Sequence, residues 1–281
     1  RGSANPPEAL AGVDLGSIMQ GVLRAGGSVD AQEQPYRIRM VSNGDVDATA
    51  SHNHDDFRYS LGASVGLGGV NRPSDVMVVK ARLRELGFDW VPAGDAMDAT
   101  TVAVIRLFQS IVAGREVIAG DGRIDVPAPS ATSTYRWLQA ENAPRWTRLG
   151  EGSRTDRTIG YFNYERTQSG TSDYATDWLS AVLLAAAERY VLDYLGDHPS
   201  ASVLEINDLS LAYGGPHPAH QGHETGLLAD IRLPRTDGGA GGITHQSDLY
   251  DRDAARAMLQ ALHAANPGIT AYFNDPTLIA E

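Results

Sequence analysis

Three histidines and one aspartate in the segment GGPHPAHQGHETGLLADIRLP, residues 214–234, have the residue types and spacing of a metal site. His217, His220 and His223 recur at every third residue, in a stretch that its glycines and prolines keep from forming a regular helix. Asp230 lies in the apolar run that follows, which predicts a strand. A histidine before a turn and an aspartate on the next strand can bring one nitrogen and one oxygen to a tetrahedral Zn²⁺. The alternative is that these histidines are structural.

Glu224 directly follows His223 and is therefore a candidate general base. The helical zinc motif H-E-x-x-H requires a second histidine three residues after the glutamate. That position is Leu227, and Gly226 disfavours the helix that the motif needs. A thermolysin-like site is therefore excluded.

Composition restricts the chemistry further. The chain has 281 residues, 8 histidines and no cysteine, so disulfides, thiolate zinc sites and cysteine nucleophiles are excluded together. With 23 Lys and Arg against 35 Asp and Glu, the net charge of −12 disfavours binding to nucleic acid. No apolar run approaches the ~18 residues of a membrane span. We expect a folded protein of the cell envelope or a secreted protein, because its lack of cysteine fits such a location.

The C-terminal half, residues 148–281, is predicted to be α+β, with helices packed on a small antiparallel sheet. The loop 212–226 is expected to carry the chemistry at one end of this sheet. A helix capped by Thr176 or Asp177 and a helix from about Arg252 to Ala265 supply the packing layer. Alternating or apolar runs predict the strands, which are expected at about 160–168, 202–211, 227–233 and 269–273.

The N-terminal half divides into two parts. Residues 1–66 are an extension and linker in which 36–41 could form a strand. Residues 67–143 predict three short helices that share one apolar face, as in a small bundle. Ser74 is expected to cap the first helix and Asp98 the second, while the third covers about 130–139.

The sequences VVKARLRELGF, DATTVAVIRLFQ and GDGRID resemble the peptidoglycan-binding module that is appended to many bacterial wall hydrolases. The resemblance covers about residues 71–140 and implies peptidoglycan as a partner. Leu83, Leu86, Phe108 and Ile124 would be core residues of such a module. The alternative is a module that has become a spacer.

The pattern His220-x-x-His223-x-x-Gly226-x-x-x-Asp230 resembles that of the penicillin-insensitive murein endopeptidases, which share a fold with D-Ala-D-Ala carboxypeptidases. The similarity extends through SVLEINDLSLAYGGPH before it and ITAYFNDPTLI after it, and so covers about residues 150–281. It implies a zinc cofactor, with His223 and Asp230 as metal ligands. It also implies that His220 is a catalytic neighbour of the metal. The clustering of the histidines makes His217 a looser neighbour of these residues.

One feature of this family is missing from the sequence. The family takes its third zinc ligand and its general base from a His-x-His pair that follows the segment matching ITAYFNDP. No such pair occurs here, so we expect the pair beyond Glu281 if the chain is cut short. His245 could line the cleft and His263 is expected to be an ordinary boundary residue. His52 and His54 are expected to lie in a solvated loop.

The resemblance implies zinc-dependent hydrolysis of peptide crosslinks in peptidoglycan by a periplasmic or secreted monomer. The first alternative is a wall-binding protein whose peptidase domain is inactive or truncated. A carboxypeptidase or a toxin of the same fold group is the other.

Overall fold

The computed structural model describes residues 36–39, 60–127, 133–140, 142–168, 171–218, 222–239 and 241–281. In this part of the chain the fold is α+β, as predicted. The helices are α1 (Pro73–Glu85), α2 (Ala99–Val112), α3 (Thr134–Gln139), α4 (Asp177–Tyr190), α5 (Arg252–Ala265) and α6 (Pro276–Ala280). The strands are β1 (Tyr36–Arg39), β2 (Val65–Gly66), β3 (Arg123–Ile124), β4 (Trp146–Arg148), β5 (Tyr161–Asn163), β6 (Tyr174–Thr176), β7 (Leu204–Ile206), β8 (Leu228–Ile231) and β9 (Thr270–Tyr272). None of the described helices is long and apolar enough to cross a membrane.

The main sheet has five strands in the order β5-β7-β8-β1-β9. Strand β8 pairs antiparallel with β7 and β1, and β1 pairs antiparallel with β9. The pair β5–β7 is parallel, so the prediction of an antiparallel sheet is wrong at this edge. The physical reason is the connection: the chain between β5 and β7 contains α4, and a helical crossover joins parallel strands.

Strand β1 comes from the segment that the sequence assigns to an extension. Its register places Arg37 opposite Asp230 of β8 and opposite Tyr272 of β9. The strand itself is predicted, but its insertion between β8 and β9 depends on partners far along the chain. The rest of residues 1–59, including His52 and His54, lies outside the described residues.

In residues 60–127 and 133–140 the structure has helices α1 to α3 and the two-stranded sheet β2–β3. Asp98 caps α2 as predicted, because its side chain accepts a hydrogen bond from the Thr101 amide. Ser74 does not cap α1, whose N-cap is Arg72. Pro73 instead takes the first helical position, where its missing N–H is not needed.

The core of the C-terminal half lies between the sheet and two long helices, α4 and α5, which pack against each other. Thr176 caps α4 by accepting a hydrogen bond from the Leu179 amide, and α5 has the predicted bounds. All four residues of β8 are buried, so both faces of the sheet are covered at this strand. This burial fixes the position of any polar side chain that β8 carries.

Candidate metal centre

His223 and Asp230 are delivered by two adjoining segments, the loop before β8 and the third residue of β8 itself. Both side chains are completely buried. His223 has a left-handed backbone with φ of 58°. For a residue with a side chain this conformation costs about 1–2 kcal/mol and persists only where the surrounding structure fixes it.

Glycines on both sides allow the sharp path of this loop. Gly222 and Gly226 have φ of 85° and 68°. At Gly226 a Cβ atom would lie 2.8 Å from the Thr176 nitrogen and 2.8 Å from Trp146 Cζ3, so the close approach to β6 requires glycine. This places the loop firmly against the two-stranded sheet formed by β4 and β6.

Leu209 and Ser210, in the segment that follows β7, hold His223 in place. Its Nδ1 lies 3.0 Å from the carbonyl oxygen of Leu209. Ser210 Oγ donates to the carbonyl of His223 and accepts from the Gly226 amide at 2.7 Å. Since a carbonyl only accepts, Nδ1 carries a proton, and in the neutral imidazole Nε2 then presents its lone pair.

That lone pair faces the carboxylate of Asp230. The distance from His223 Nε2 to Asp230 Oδ1 is 3.4 Å. Two ligands at the usual ~2.0–2.1 Å from a tetrahedral zinc ion are about 3.3 Å apart, so the observed spacing fits two ligands of one such ion. A metal-bound histidine also usually donates its other ring N–H to a carbonyl or carboxylate, as Nδ1 of His223 does to Leu209.

His217 lies beside this pair, as the sequence suggests. Its ring centroid is 5.9 Å from that of His223, with the two ring planes 49° apart. Its Nε2 is 2.8 Å from the hydroxyl of Ser172, which is buried at the start of the segment leading into β6. Ser172 therefore orients His217 at the edge of the centre.

The structure places none of the other predicted histidines beside the His223–Asp230 pair among the residues that it describes. His220 lies outside the described residues, so its predicted catalytic role stays a prediction. His263 on α5 is half-buried, which agrees with a boundary position, and His245 is half-buried in its loop. Among the residues that the structure describes, no group of three or more histidine, aspartate or glutamate side chains is arranged to hold a metal ion.

Several supporting residues have no signal in the sequence. Leu209 and Ser210 act through a carbonyl and a hydroxyl, and Ser172 lies 45 positions from His217. Glu224, next to His223, directs its carboxylate to the Ile118 amide at 2.8 Å. Its role follows from a contact across 106 positions, which no local pattern reveals.

Comparisons of the chain with protein-family models, curated proteins and solved structures found no match.

Proposed function

We propose that this protein is a zinc-dependent peptidase that hydrolyses peptide crosslinks in bacterial peptidoglycan. The observation that carries the proposal is the buried pair His223–Asp230, with Nε2 and Oδ1 3.4 Å apart and Nδ1 held by the Leu209 carbonyl. Its donor types, spacing and supporting hydrogen bond suit zinc. The resemblance of residues 150–281 to murein endopeptidases supplies the substrate.

In this proposal His223 and Asp230 hold the metal, while the remaining residues act on its surroundings. Zinc supplies a Lewis acid that polarises a carbonyl and makes water more acidic. Leu209 keeps the imidazole in the tautomer whose Nε2 can bind the metal, and Ser210 fixes the loop. His217, oriented by Ser172, would hydrogen-bond a substrate beside the pair.

The proposal assigns His220 as a catalytic neighbour of the metal, on the resemblance alone. The resemblance also implies a third histidine ligand and a general base besides these residues. Both belong to the proposal and are tested with it.

The helical residues 67–143 would bind the wall and so raise the local concentration of substrate. This role rests on their resemblance to the peptidoglycan-binding module. A periplasmic or secreted location follows from the substrate and suits a chain without cysteine. We propose a monomer.

Digestion of purified peptidoglycan tests the function. The wild-type protein, and the longer product if the reading frame continues, should convert crosslinked dimers to monomers in the presence of Zn²⁺. Mass spectrometry of the products measures this, with Asp230→Asn as the matched inactive control. Crosslinked dimers that stay intact with the longest product and added Zn²⁺ would contradict the proposal.

A wall-binding protein with an inactive peptidase domain is the second candidate. It is favoured by the finding that the described residues bring two candidate ligands together and not a group of three. In that case the protein sediments with insoluble peptidoglycan but neither binds zinc tightly nor changes the crosslinks. The same digestion, combined with a sedimentation assay, separates the two candidates.

A further inference from the structure

The loop that carries His223 is attached by a set of hydrogen bonds to the N-terminal helical region, which contains α1 to α3. Glu224 Oε2 accepts from the Ile118 amide at 2.8 Å, and the Glu224 amide donates to the Glu116 carbonyl at 3.2 Å. Thr225 Oγ1 donates to the Arg115 carbonyl at 2.6 Å, across 110 positions. Two consecutive residues of the loop that carries His223 thus bind one short segment, 115–118, which follows α2.

The segment 115–118 is itself fixed to α2. The Arg115 amide donates to the carbonyl of Ser110 at 2.9 Å. Ser110 Oγ accepts from the Ala119 amide at 2.9 Å and donates to the Arg106 carbonyl at 2.7 Å. The support therefore runs from a regular helix through a braced turn to the residue beside His223.

Glu224 also links the two ends of its own loop. Its carbonyl accepts from the Gly215 amide at 2.9 Å, so the start of the histidine-rich segment is tied to its end. Glu224 therefore forms hydrogen bonds through its side chain, its amide and its carbonyl. A residue bound at all three groups restricts the backbone torsions of its neighbour.

The residue before Glu224, His223, has a strained backbone conformation. His223 has φ of 58°, a conformation that must be maintained by contacts. Relaxation of this torsion would turn the imidazole away from Asp230, because the ring direction follows the backbone. Ser210 restrains the His223 carbonyl from one side, and Glu224 restrains the next residue from the other.

We propose that Glu224 is a positioning residue that couples the helical region to the metal centre, by holding His223 in the left-handed conformation that zinc binding requires. The inference rests on the proposed zinc site. The helical region is then a structural part of that site, in addition to any role in wall binding. Glu224 acts through its hydrogen bonds, of which the side-chain one is accepted by Oε2 from the Ile118 amide.

The test compares zinc affinity in three proteins: wild type, Glu224→Ala and Glu224→Gln. Competition with a chromophoric chelator gives the Kd, and thermal melting of the metal-free proteins gives their stability. Glu224→Ala should weaken zinc binding about 10- to 100-fold, the range typical for residues that orient a ligand. Glu224→Gln should bind within about threefold of wild type, because its amide oxygen can accept the same hydrogen bond. Glu188→Ala, on the exposed side of α4, is the matched control and should change nothing.

Thr225→Val provides a second variant, which removes the hydroxyl bond to Arg115 with little change of shape. It should also weaken zinc binding, by a smaller factor. Equal zinc affinity in wild type and Glu224→Ala would overturn the inference, as would a Gln variant as weak as the Ala variant. A lowered melting temperature with unchanged Kd would assign Glu224 to packing alone.

A further readout separates this inference from the proposed function. If wild type binds no zinc, the proposed function fails, and the imidazole Nδ1–H resonance of His223 in the metal-free protein decides the positioning role. That resonance, protected by Leu209, should be lost in Glu224→Ala and kept in Glu224→Gln. Its persistence in the Ala variant would overturn the positioning role.

Discussion

Three completely buried carboxylates, Asp173, Asp275 and Asp230, have partners of two different kinds. Asp173 Oδ2 lies 2.7 Å from Arg148 Nε and 3.4 Å from Arg166. Asp275 Oδ2 lies 2.8 Å from Arg252 Nε. Asp230 faces the ring of His223 instead.

The difference separates structural carboxylates from a candidate metal ligand. A guanidinium carries a permanent positive charge and donates directly to the carboxylate. The neutral imidazole of His223, with its proton on the Nδ1 that faces Leu209, presents its lone pair to the carboxylate at the spacing of two zinc ligands. Burial alone therefore does not distinguish the three aspartates; the type of side chain that faces each carboxylate does.

The largest expected effect is on zinc affinity after a change at the pair. Asp230→Asn and His223→Ala should each weaken zinc binding more than about 100-fold, since removal of a ligand exceeds the 10- to 100-fold typical of supporting residues. Chelator competition measures this, with circular dichroism to verify folding. Asp173→Asn is the control and should retain the wild-type affinity. Equal losses of zinc affinity in Asp173→Asn and Asp230→Asn would contradict the distinction between structural carboxylates and a candidate metal ligand.

Asp173→Ala should lower the free energy of unfolding by about 2 kcal/mol, because it removes charged hydrogen bonds from a buried site. The loss stays below the 3–5 kcal/mol of a fully buried pair, since Arg148 and Arg166 are partly exposed and can be hydrated. Urea denaturation measures it, and the exposed Asp248→Ala is the control. A change below about 0.5 kcal/mol, the usual scatter for surface substitutions, would contradict the structural role.

Ser172 and Asp173 are adjacent, yet they support different regions. Ser172→Ala removes the 2.8 Å contact with His217 and should cost about 1 kcal/mol of stability. Zinc affinity should change less than about tenfold, because His217 lies beside the pair and is not one of its two members. Denaturation and chelator competition on the same protein samples measure both. A loss as large as that of His223→Ala would make His217 a ligand.

The smallest effect is a change in pH dependence at Asp275. Burial raises the pKa of this carboxyl, but hydrogen bonds from Arg252 and Thr277 outweigh it and hold the pKa below its ordinary value of 3.8. A lowered folded-state pKa contributes stability above pH 3.8 that is lost as the pH falls through the folded pKa. The substituted side chain would still cap the helix, so Asp275→Asn should only reduce the decrease in the free energy of unfolding at low pH. The difference between the two proteins should be less than about 1 kcal/mol. Thermal melts between pH 2 and 6 measure it, and identical curves for the two proteins would contradict it.

Much of the fold could be predicted because its signals are local. The cap at Thr176, the cap at Asp98 and the full extent of α5 follow from capping residues and apolar periodicity over a few turns. The pairing of β5 with β7 and the insertion of β1 next to β8 could not be predicted, because strand partners are chosen by contacts between distant segments.

The sequence by itself determined the chemistry that is available: His223 and Asp230 as one nitrogen and one oxygen donor, on a glycine-bounded loop and a buried strand, in a chain without cysteine. Only the tertiary structure decided which nitrogen of His223 faces the carboxylate, because that depends on the Leu209 carbonyl, 14 positions away. It also decided that Glu224 turns towards Ile118, 106 positions away. Such contacts depend on how whole segments pack, and residue type and local spacing do not encode that packing.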